Sequence, residues 1–308
     1  MTTTLLRRPA RTSVPAMSIV IASVNGWDVL RPTLASIDAL PERDRIEVIV
    51  VEALGGDTRA KLRSHRPEIT MIEVEERLPI PRLRYLGVQK ALGELVAILE
   101  DHVEVDREWA SSLFEIHHEP WGAVGGAVEN GRSEWLNWAV FFCEYTPYML
   151  PVIEGSATDI PGNNIAYKRP HLLKHARLLD EGKWESWIND RLRADGVAIA
   201  STNRAIVRHI KPFRLGYFLV QRFHFARSYA GMRRTDQSWA KRVIFGFGSL
   251  ILPPLLLARV SKTAFAKKRH LGKFVACLPL IALFMSVGAV GEMMGYFLGA
   301  GRSLDRVE

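Results

Sequence analysis

Short apolar runs alternate with stretches of helical spacing through the first part of the chain. Apolar, β-branched runs that stop at polar turns are typical of strands in a parallel sheet. They predict strands over Met17–Ser23, Glu47–Val51, Thr70–Val74, Leu95–Leu99 and Ala123–Val128. Apolar residues three and four apart predict helices over Asp28–Ile37, Thr58–Ser64, Arg82–Leu92, Trp109–His117 and Trp184–Gly196. This alternation predicts an α/β fold of three layers, α/β/α, around a mainly parallel sheet.

The last part of the chain contains two long apolar runs, Val243–Val260 and Phe274–Phe297. About 20 apolar residues span a bilayer, so the second run predicts a membrane helix. The first run contains Pro253 and Pro254 and could span, kink, or lie as a re-entrant or interfacial segment. Two buried core helices are the alternative interpretation.

Basic residues flank both apolar runs, and they bear on the topology. If both runs cross the bilayer, the basic loop between them lies outside, against the positive-inside tendency. If the first run is re-entrant, both basic clusters stay cytoplasmic and can meet anionic lipid head groups. The sequence predicts two membrane segments and leaves open whether one or both cross.

The net charge of +8 favours polyanionic partners: nucleic acid, anionic lipid or phosphorylated substrates. Because the basic residues gather beside the apolar runs, lipid is favoured and no nucleic-acid partner is predicted. Two distant cysteines, Cys143 and Cys277, offer no disulfide framework, which fits a reducing compartment. Residues 1–16 lack the apolar segment of a signal peptide and are predicted to form a flexible arm.

Three common enzyme signatures are missing from the sequence. The first strand continues as SVNGWD, without the glycines of a dinucleotide-binding turn, and a P-loop is absent. A Gly-X-Ser-X-Gly elbow is absent too. These absences disfavour a dinucleotide dehydrogenase, a P-loop NTPase and an α/β-hydrolase.

Acidic residues follow two predicted strands, where ligands bind in open α/β sheets. The strand Leu95–Leu99 ends in Glu100, Asp101 and His102, which could hold a divalent cation and, through it, a diphosphate. Glu52 follows the second strand and could accept hydrogen bonds from a nucleobase or ribose. A solvated turn is the alternative at both places.

Two further segments suggest phosphate and sugar binding. Arg82 and Arg84 open a helix, where a guanidinium and the positive end of the helix dipole suit a phosphate; ordinary surface arginines are the alternative. Gly162 permits close backbone approach, and Asn163 and Asn164 offer donors and acceptors for sugar hydroxyls, although a plain turn would use the same residues.

The helix Trp184–Gly196 carries a candidate general base. Glu185 lies between Trp184 and Trp187, and partial desolvation raises a carboxyl pKa toward what a base needs. The alternative is an N-terminal glutamate that interacts with the helix dipole. Farther on, Gln221–Arg227 alternates cationic and aromatic groups that could line a pyrophosphate or acceptor groove, or form an ordinary basic interfacial helix.

The order of these pieces resembles family 2 glycosyltransferases of the GT-A fold, specifically membrane-anchored bacterial members. The resemblance rests on SIVIASVNG, IEVIVVEA, RLRYLGVQKALGE, the Asp-x-Asp-like Glu100–His102, the Pro-Gly-x-Asn loop, the acidic helix ending in Arg-Leu-Arg, and the tail GEMMGYFLG. It implies a GT-A domain over residues 17–230 and a C-terminal membrane-associated region over residues 231–308.

The resemblance implies inverting transfer from a nucleoside-diphosphate sugar to a lipid-linked or cell-envelope glycan acceptor. It places the enzyme at the cytoplasmic membrane, with its catalytic domain facing the cytoplasm, and makes Glu185 the base. His102 and Asp101 are the implied metal ligands. The implied nucleotide-sugar-binding residues are Ser23, Glu52, Arg84, Glu100, Asp101, Asn163, Asn164, Gln221, Arg222 and Arg227.

Two departures from the family pattern affect these expectations. The metal motif is Glu-Asp-His, and His102 suits Mn²⁺ better than Mg²⁺. The usual Glu-Asp base pair is here Trp184-Glu185, so one carboxylate remains. An alternative function is therefore a catalytically silent nucleotide-sugar binder that scaffolds a membrane assembly.

Overall fold

The computed structural model describes residues 4–5, 14–235 and 237–307 of the chain. Most of the predicted N-terminal arm lies outside these residues. In chain order the strands and α-helices are β1 (Thr4–Leu5), β2 (Met17–Ser23), α1 (Trp27–Asp38), β3 (Ile46–Glu52), α2 (Gly56–His65), β4 (Thr70–Glu73), α3 (Ile80–Lys90), β5 (Leu95–Glu100), β6 (Val103–Val105), α4 (Trp109–Ile116), β7 (Ala123–Asn130), α5 (Trp135–Tyr145), β8 (Gly155–Ser156), β9 (Asn164–Lys168), α6 (Arg169–His175), α7 (Arg177–Asp180), α8 (Glu185–Ala194), β10 (Ile199–His209), α9 (Leu215–Arg234), α10 (Trp239–Gly248), α11 (Leu252–Lys267) and α12 (Leu271–Leu298).

The described chain forms two compact units. The sheet unit contains the residues up to Gly131 and Leu150–Lys211; the helical unit contains Arg132–Met149 and the residues from Pro212 onward. The sequence placed the domain boundary after residue 230. That boundary stays a prediction; among the compact units, α9 falls in the helical unit because it packs along α12.

The sheet unit has the predicted α/β architecture, built on a mixed sheet in the order β1-β4-β3-β2-β5-β9-β7-β10-β6, with β8 paired to β10. The strands β4, β3, β2 and β5 are parallel, as the apolar runs predicted. The difference from the prediction is β9, which enters antiparallel between β5 and β7. β10 pairs parallel with β7 and antiparallel with β6.

Close packing of α3 on the sheet fixes the first half of this unit. The strands β2 and β3 are buried along their whole length. Gly87 of α3 lies against them so closely that a Cβ there would approach Val20 Cγ1 to 2.4 Å. Such a contact is below van der Waals distance, so a larger side chain would push the helix away from the strands.

In the helical unit, both apolar runs form helices, as predicted. The segments Trp239–Lys267 and Leu271–Leu298 are long and apolar enough to cross a membrane by length and composition. A short 3₁₀ turn, Ser249–Ile251, joins α10 to α11. Of the two segments, the second is the more buried inside the unit.

Candidate functional site

The candidate site lies at the carboxyl ends of β2, β3 and β5, the edge that the sequence predicted. β5 ends at Glu100, a turn carries Asp101 and His102, and β6 then turns back to pair with β10. In that pairing His209 lies opposite Val103, and the Ile210 amide donates to the His102 carbonyl at 2.9 Å. The last strand of the unit thereby brings a second imidazole to the first.

Glu100, His102 and His209 form a cluster that could hold a metal ion. Their ligand atoms all lie within 4.8 Å of one another. His102 Nε2 is 3.2 Å from Glu100 Oε2, and the two imidazole rings meet edge to face with centroids 4.7 Å apart. A carboxylate with two imidazoles suits Mn²⁺, Zn²⁺ or Fe²⁺ better than Mg²⁺. The donor set therefore fits a divalent transition metal.

Asp101 is outside this cluster, although the sequence proposed it as a ligand beside His102. Both of its oxygens are engaged: they accept from the backbone N–H groups of Val24 and Asn25, at 2.8 and 2.9 Å, and from Asn25 Nδ2 at 2.8 Å. His102 Nδ1 also donates to Asp101 Oδ1 at 2.7 Å. This bond fixes the imidazole and directs Nε2 at Glu100, the usual arrangement of a carboxylate behind a ligating histidine.

The electrostatics of the cluster separate the two histidines. Burial, reinforced by the charge of His102, lowers the pKa of His209 to about 3, so its imidazole is neutral at pH 7. Burial also opposes charge on His102, but Glu100 and Asp101 outweigh it and raise the pKa of His102. For Glu100 burial again acts in the opposite sense, yet His102 holds its pKa well below the usual range. His209 is thus neutral and available as a ligand, whereas His102 would have to release a proton before binding a metal ion.

A buried ion pair joins the candidate base to this edge. Arg84 of α3 donates from Nη1 to Glu185 Oε2 of α8 at 2.7 Å, and its Nη2 lies 3.8 Å from Glu100 Oε1. Arg84 and Glu185 are each 3% exposed, and Glu100 is 25% exposed. Arg84 therefore links the metal-capable cluster to Glu185, whereas the sequence suggested a phosphate-binding arginine at a helix start.

Glu185 keeps one oxygen available. Among the described residues its Oε1 has no hydrogen-bond partner, although it is buried. A Cβ at Gly162 would lie 3.0 Å from Oε2 of the same carboxylate, so the Pro161–Gly162 turn comes close to the base because residue 162 has no side chain. A hydrogen-bond donor such as a hydroxyl is the kind of group that would complete this carboxylate.

The two adjacent asparagines have different surroundings. The Asn164 side chain is hydrogen-bonded within the protein: its Oδ1 accepts from Trp109 Nε1 at 2.8 Å, and its Nδ2 donates to the carbonyls of Ala127 and Ala205. Its contact with a nucleotide sugar stays a prediction. Asn163 is 3% exposed, yet neither atom of its amide has a partner within the described part of the chain. The same holds for Ser23 Oγ. Buried polar atoms without partners are rare, so Asn163 and Ser23 are the groups here that most need a ligand.

Glu52 lies next to Ser23 across β2 and β3, but its carboxylate is committed to the following turn. It accepts from the Leu54 and Gly55 amides, at 2.7 and 3.0 Å, and from Arg59 Nε at 3.0 Å. Hydrogen bonds of this kind shape a loop. The contact of Glu52 with a nucleobase or ribose stays a prediction.

The remaining predicted residues lie on α9 in the helical unit. Gln221 Nε2 donates to the Arg306 carbonyl at 2.9 Å, and Arg227 Nε donates to the Gly299 carbonyl at 3.2 Å. Arg222 lies 3.9 Å from Glu144. Their role toward a diphosphate stays a prediction.

His209 is the site residue that sequence reasoning missed. Its signal is weak: a single histidine follows the short apolar run Ala205–Val207 and Arg208. Its significance depends on the pairing of β10 with β6, which no local pattern encodes.

Comparisons with known proteins fit this architecture. The family model described as glycosyl transferase family 2 matches residues 18–174. Polypeptide N-acetylgalactosaminyltransferase 12 of Mus musculus is 31% identical over 119 residues, which are 36% of this chain and 21% of that protein. The chain thus matches about a fifth of that relative's length. A solved structure of mannosyltransferase PcManGT from Pyrobaculum calidifontis, in complex with GDP-Man and Mn²⁺, superposes with a TM-score of 0.59 at 17% identity, over 91% of this chain and 88% of that one. At this identity the likeness establishes the GT-A fold.

Proposed function

This chain belongs to glycosyl transferase family 2, and on that basis we propose that it moves a sugar from a nucleoside-diphosphate donor to an acceptor hydroxyl with inversion. The observation that carries the proposal is Arg84, which contacts the candidate base Glu185 and the metal-capable Glu100 at one edge of the sheet. A single displacement needs the base and the diphosphate site on opposite faces of the same sugar, and Arg84 spans the distance between Glu185 and Glu100.

Glu185 is the proposed base. Its free Oε1 would take the proton of the acceptor hydroxyl as the acceptor oxygen bonds to the anomeric carbon and the nucleoside diphosphate leaves from the opposite face. Arg84 holds Oε2 and so fixes the carboxylate plane. The family's base motif has two acidic residues, and here Trp184 replaces one of them. We infer that Arg84 orients Glu185 in place of that missing carboxylate.

Glu100, His102 and His209 are the proposed metal ligands, with Asp101 as the residue that orients His102. A divalent ion bound there would supply Lewis-acid compensation for the negative charge of the leaving diphosphate. Two imidazoles favour Mn²⁺ over Mg²⁺. PcManGT, which shares the fold, was solved with Mn²⁺, and this supports the proposal.

Asn163 and Ser23 are the proposed polar contacts to the donor sugar or ribose, because their buried polar atoms lack partners in the described structure. Asn164 and Asp101 would act indirectly, because their hydrogen bonds to backbone groups hold the loops of the site in position. We infer a lipid-linked acceptor and a catalytic unit on the cytoplasmic side of a membrane. The two apolar helices of the helical unit support a membrane association.

Calorimetric titration tests the donor site directly. Full-length protein is titrated with UDP, GDP and TDP in Mn²⁺, in Mg²⁺ and in EDTA. We expect one nucleotide to bind in Mn²⁺, to bind more weakly in Mg²⁺, and to lose most of its affinity in EDTA. No binding of any nucleotide in Mn²⁺ would contradict a donor site at this edge. Metal-dependent donor binding without transfer to any lipid-linked acceptor would instead favour a silent scaffold.

A further inference from the structure

The helix α12 is the central helix of the helical unit, and its first half packs on α5. The Phe274 and Phe142 rings meet edge to face with centroids 5.2 Å apart. Lys273 Nζ lies 4.0 Å from the centre of the Trp138 ring. Phe274 is fully buried by these neighbours. This half of the helix therefore lies against protein on the α5 side.

The second half of α12 packs on α9 through glycines. A Cβ on Gly291 would lie 2.4 Å from the Phe223 carbonyl oxygen, and one on Gly295 would lie 2.5 Å from the Arg227 carbonyl oxygen. The backbones approach as closely as glycine permits. A bilayer that surrounded this half of α12 would therefore also have to surround α9.

α9 is a poor helix for a bilayer interior. It carries arginines at 222, 227, 233 and 234 together with Gln221 and His224. At the level of Gly288, just past the middle of α12, Arg222 lies 3.9 Å from Glu144 of α5. Charged side chains inside a bilayer are costly, so a hairpin of α11 and α12 that crossed the membrane would bring an unfavourable set of charges with it.

The α10–α11 segment has the opposite character. Its exposed apolar side chains are Trp239, Ile244, Phe245, Phe247, Leu250, Ile251, Leu255 and Phe265. α12 adds a stripe on its own exposed side, namely Val275, Leu283 and Val290. A surface this apolar is rare on a protein that faces water alone.

Basic residues surround this apolar surface. Lys241 and Arg242 lie in the first turn of α10, and Arg259, Lys262 and Lys268 follow along α11 and its end. Aromatic and aliphatic groups with flanking Lys and Arg match the boundary between the acyl chains and the anionic head groups of a membrane. The charge pattern thus selects an anionic lipid surface over an apolar protein partner.

We propose that the α10–α11 face and the exposed stripe of α12 lie in one leaflet of an anionic membrane, with α12 as the core of the protein behind them. The hairpin then enters the membrane and leaves it on the same side. This inference rests on the helical unit alone and is independent of the proposed glycosyl transfer.

Label counting on a double-cysteine variant tests the topology. Gly272→Cys marks the start of α12, where a Cβ meets nothing within 4 Å, and Arg302→Cys marks the exposed segment after its end. Residues 272–298 of α12 rise about 40 Å, and Arg302 lies in the segment that follows the helix. The variant is reconstituted into sealed phosphatidylglycerol–phosphatidylcholine vesicles and treated with a membrane-impermeant maleimide. The number of labels per molecule is then read from the mass of the intact protein by mass spectrometry.

One-leaflet attachment predicts molecules with two labels or none before detergent. A hairpin that crosses predicts one label on every molecule and overturns the proposal. Detergent should bring every molecule to two labels, and wild-type protein gives the background from Cys143 and Cys277.

Vesicle sedimentation tests the lipid surface. Ile251 on the proposed face is 61% exposed, and Ile153 in the sheet unit is 74% exposed and serves as the matched control. We expect Ile251→Glu to weaken partition onto phosphatidylglycerol vesicles about tenfold, while Ile153→Glu leaves it unchanged. Equal partition of the two variants would refute the assignment of the face. If wild-type protein does not sediment with anionic vesicles and is a dimer in solution, the membrane proposal is wrong and the face contacts a second copy of the chain.

Discussion

The ion pair between Arg84 and Glu185 gives the most discriminating prediction. Removing one member of a buried ion pair leaves an uncompensated charge and costs about 3–5 kcal/mol. Glu185→Gln keeps a carbonyl oxygen for the Arg84 N–H, and Glu100 lies 3.8 Å from the same guanidinium. We therefore expect the lower end, about 3 kcal/mol.

Arg84→Met is expected to cost about 5 kcal/mol, because it leaves two carboxylates, Glu185 and Glu100, without their shared cation. In the variant that combines Arg84→Met with Glu185→Gln, a thioether and a carboxamide face each other without a net charge. Its loss should fall short of the sum of the single losses by about 2–3 kcal/mol, the upper range for residues in contact.

The assay combines a double-mutant cycle with kinetics. Urea unfolding of the four proteins in the same detergent gives the coupling free energy, and transfer from the donor selected by calorimetry gives kcat. Glu185→Gln should bind the donor as wild-type protein does. Its kcat should fall by at least about a hundredfold, because a carboxamide cannot take the proton from the hydroxyl group of the acceptor substrate. Glu185→Asp should recover part of that loss.

Two results would refute this reasoning. Additive stability losses would show that Arg84 and Glu185 do not interact energetically. Glu185→Gln with wild-type kcat would show that another group takes the proton.

Two further predictions follow from buried histidines. His209→Ala should weaken Mn²⁺ binding by at least about tenfold in calorimetry, while the exposed His118→Ala leaves it unchanged; equal affinities would remove His209 from the ligand set. Burial lowers the pKa of His117 from 6.5 to about 4, so stability that is present above pH 6.5 is lost as the pH falls toward 4, because the unfolded chain takes the proton first. Between pH 7 and pH 4.5 wild-type protein should lose about 2 kcal/mol more than His117→Gln in urea unfolding, and parallel losses would contradict this.

The sequence predicts the strands β2 to β5 and the edge at which they end, because apolar runs and turn residues are local features. It does not predict β9 between β5 and β7, since an antiparallel insertion depends on which strands are neighbours in space. The same limit explains why the sequence does not show that α9 packs in the helical unit. The glycines of α12 that accept α9 are visible in the sequence, but their partner is not.

The candidate site divides along similar lines. Glu100, His102 and Glu185 can be proposed from the sequence because each occupies a characteristic place relative to a strand or helix, and their roles stay predictions. His209 and the pairing of Arg84 with Glu185 depend on contacts between segments far apart in the chain. The hydrogen bonds of Asp101 and Asn164 to distant backbone groups also depend on the folded chain, and the binding roles of both residues stay predictions.

The position of β10 has a consequence for how the protein is made. His209 lies near the end of the sheet unit. During synthesis, the cluster with Glu100 and His102 therefore forms only after β10, the last strand, has been made and has paired with β6. An ion held by all three residues would link β10, the strand synthesised last, to the end of β5, which is synthesised about a hundred residues earlier. Ligand at a hundred times its Kd stabilises the native state by about 2.7 kcal/mol. Metal supply would then govern how long the nascent enzyme stays open to proteases, as well as how fast the mature enzyme turns over.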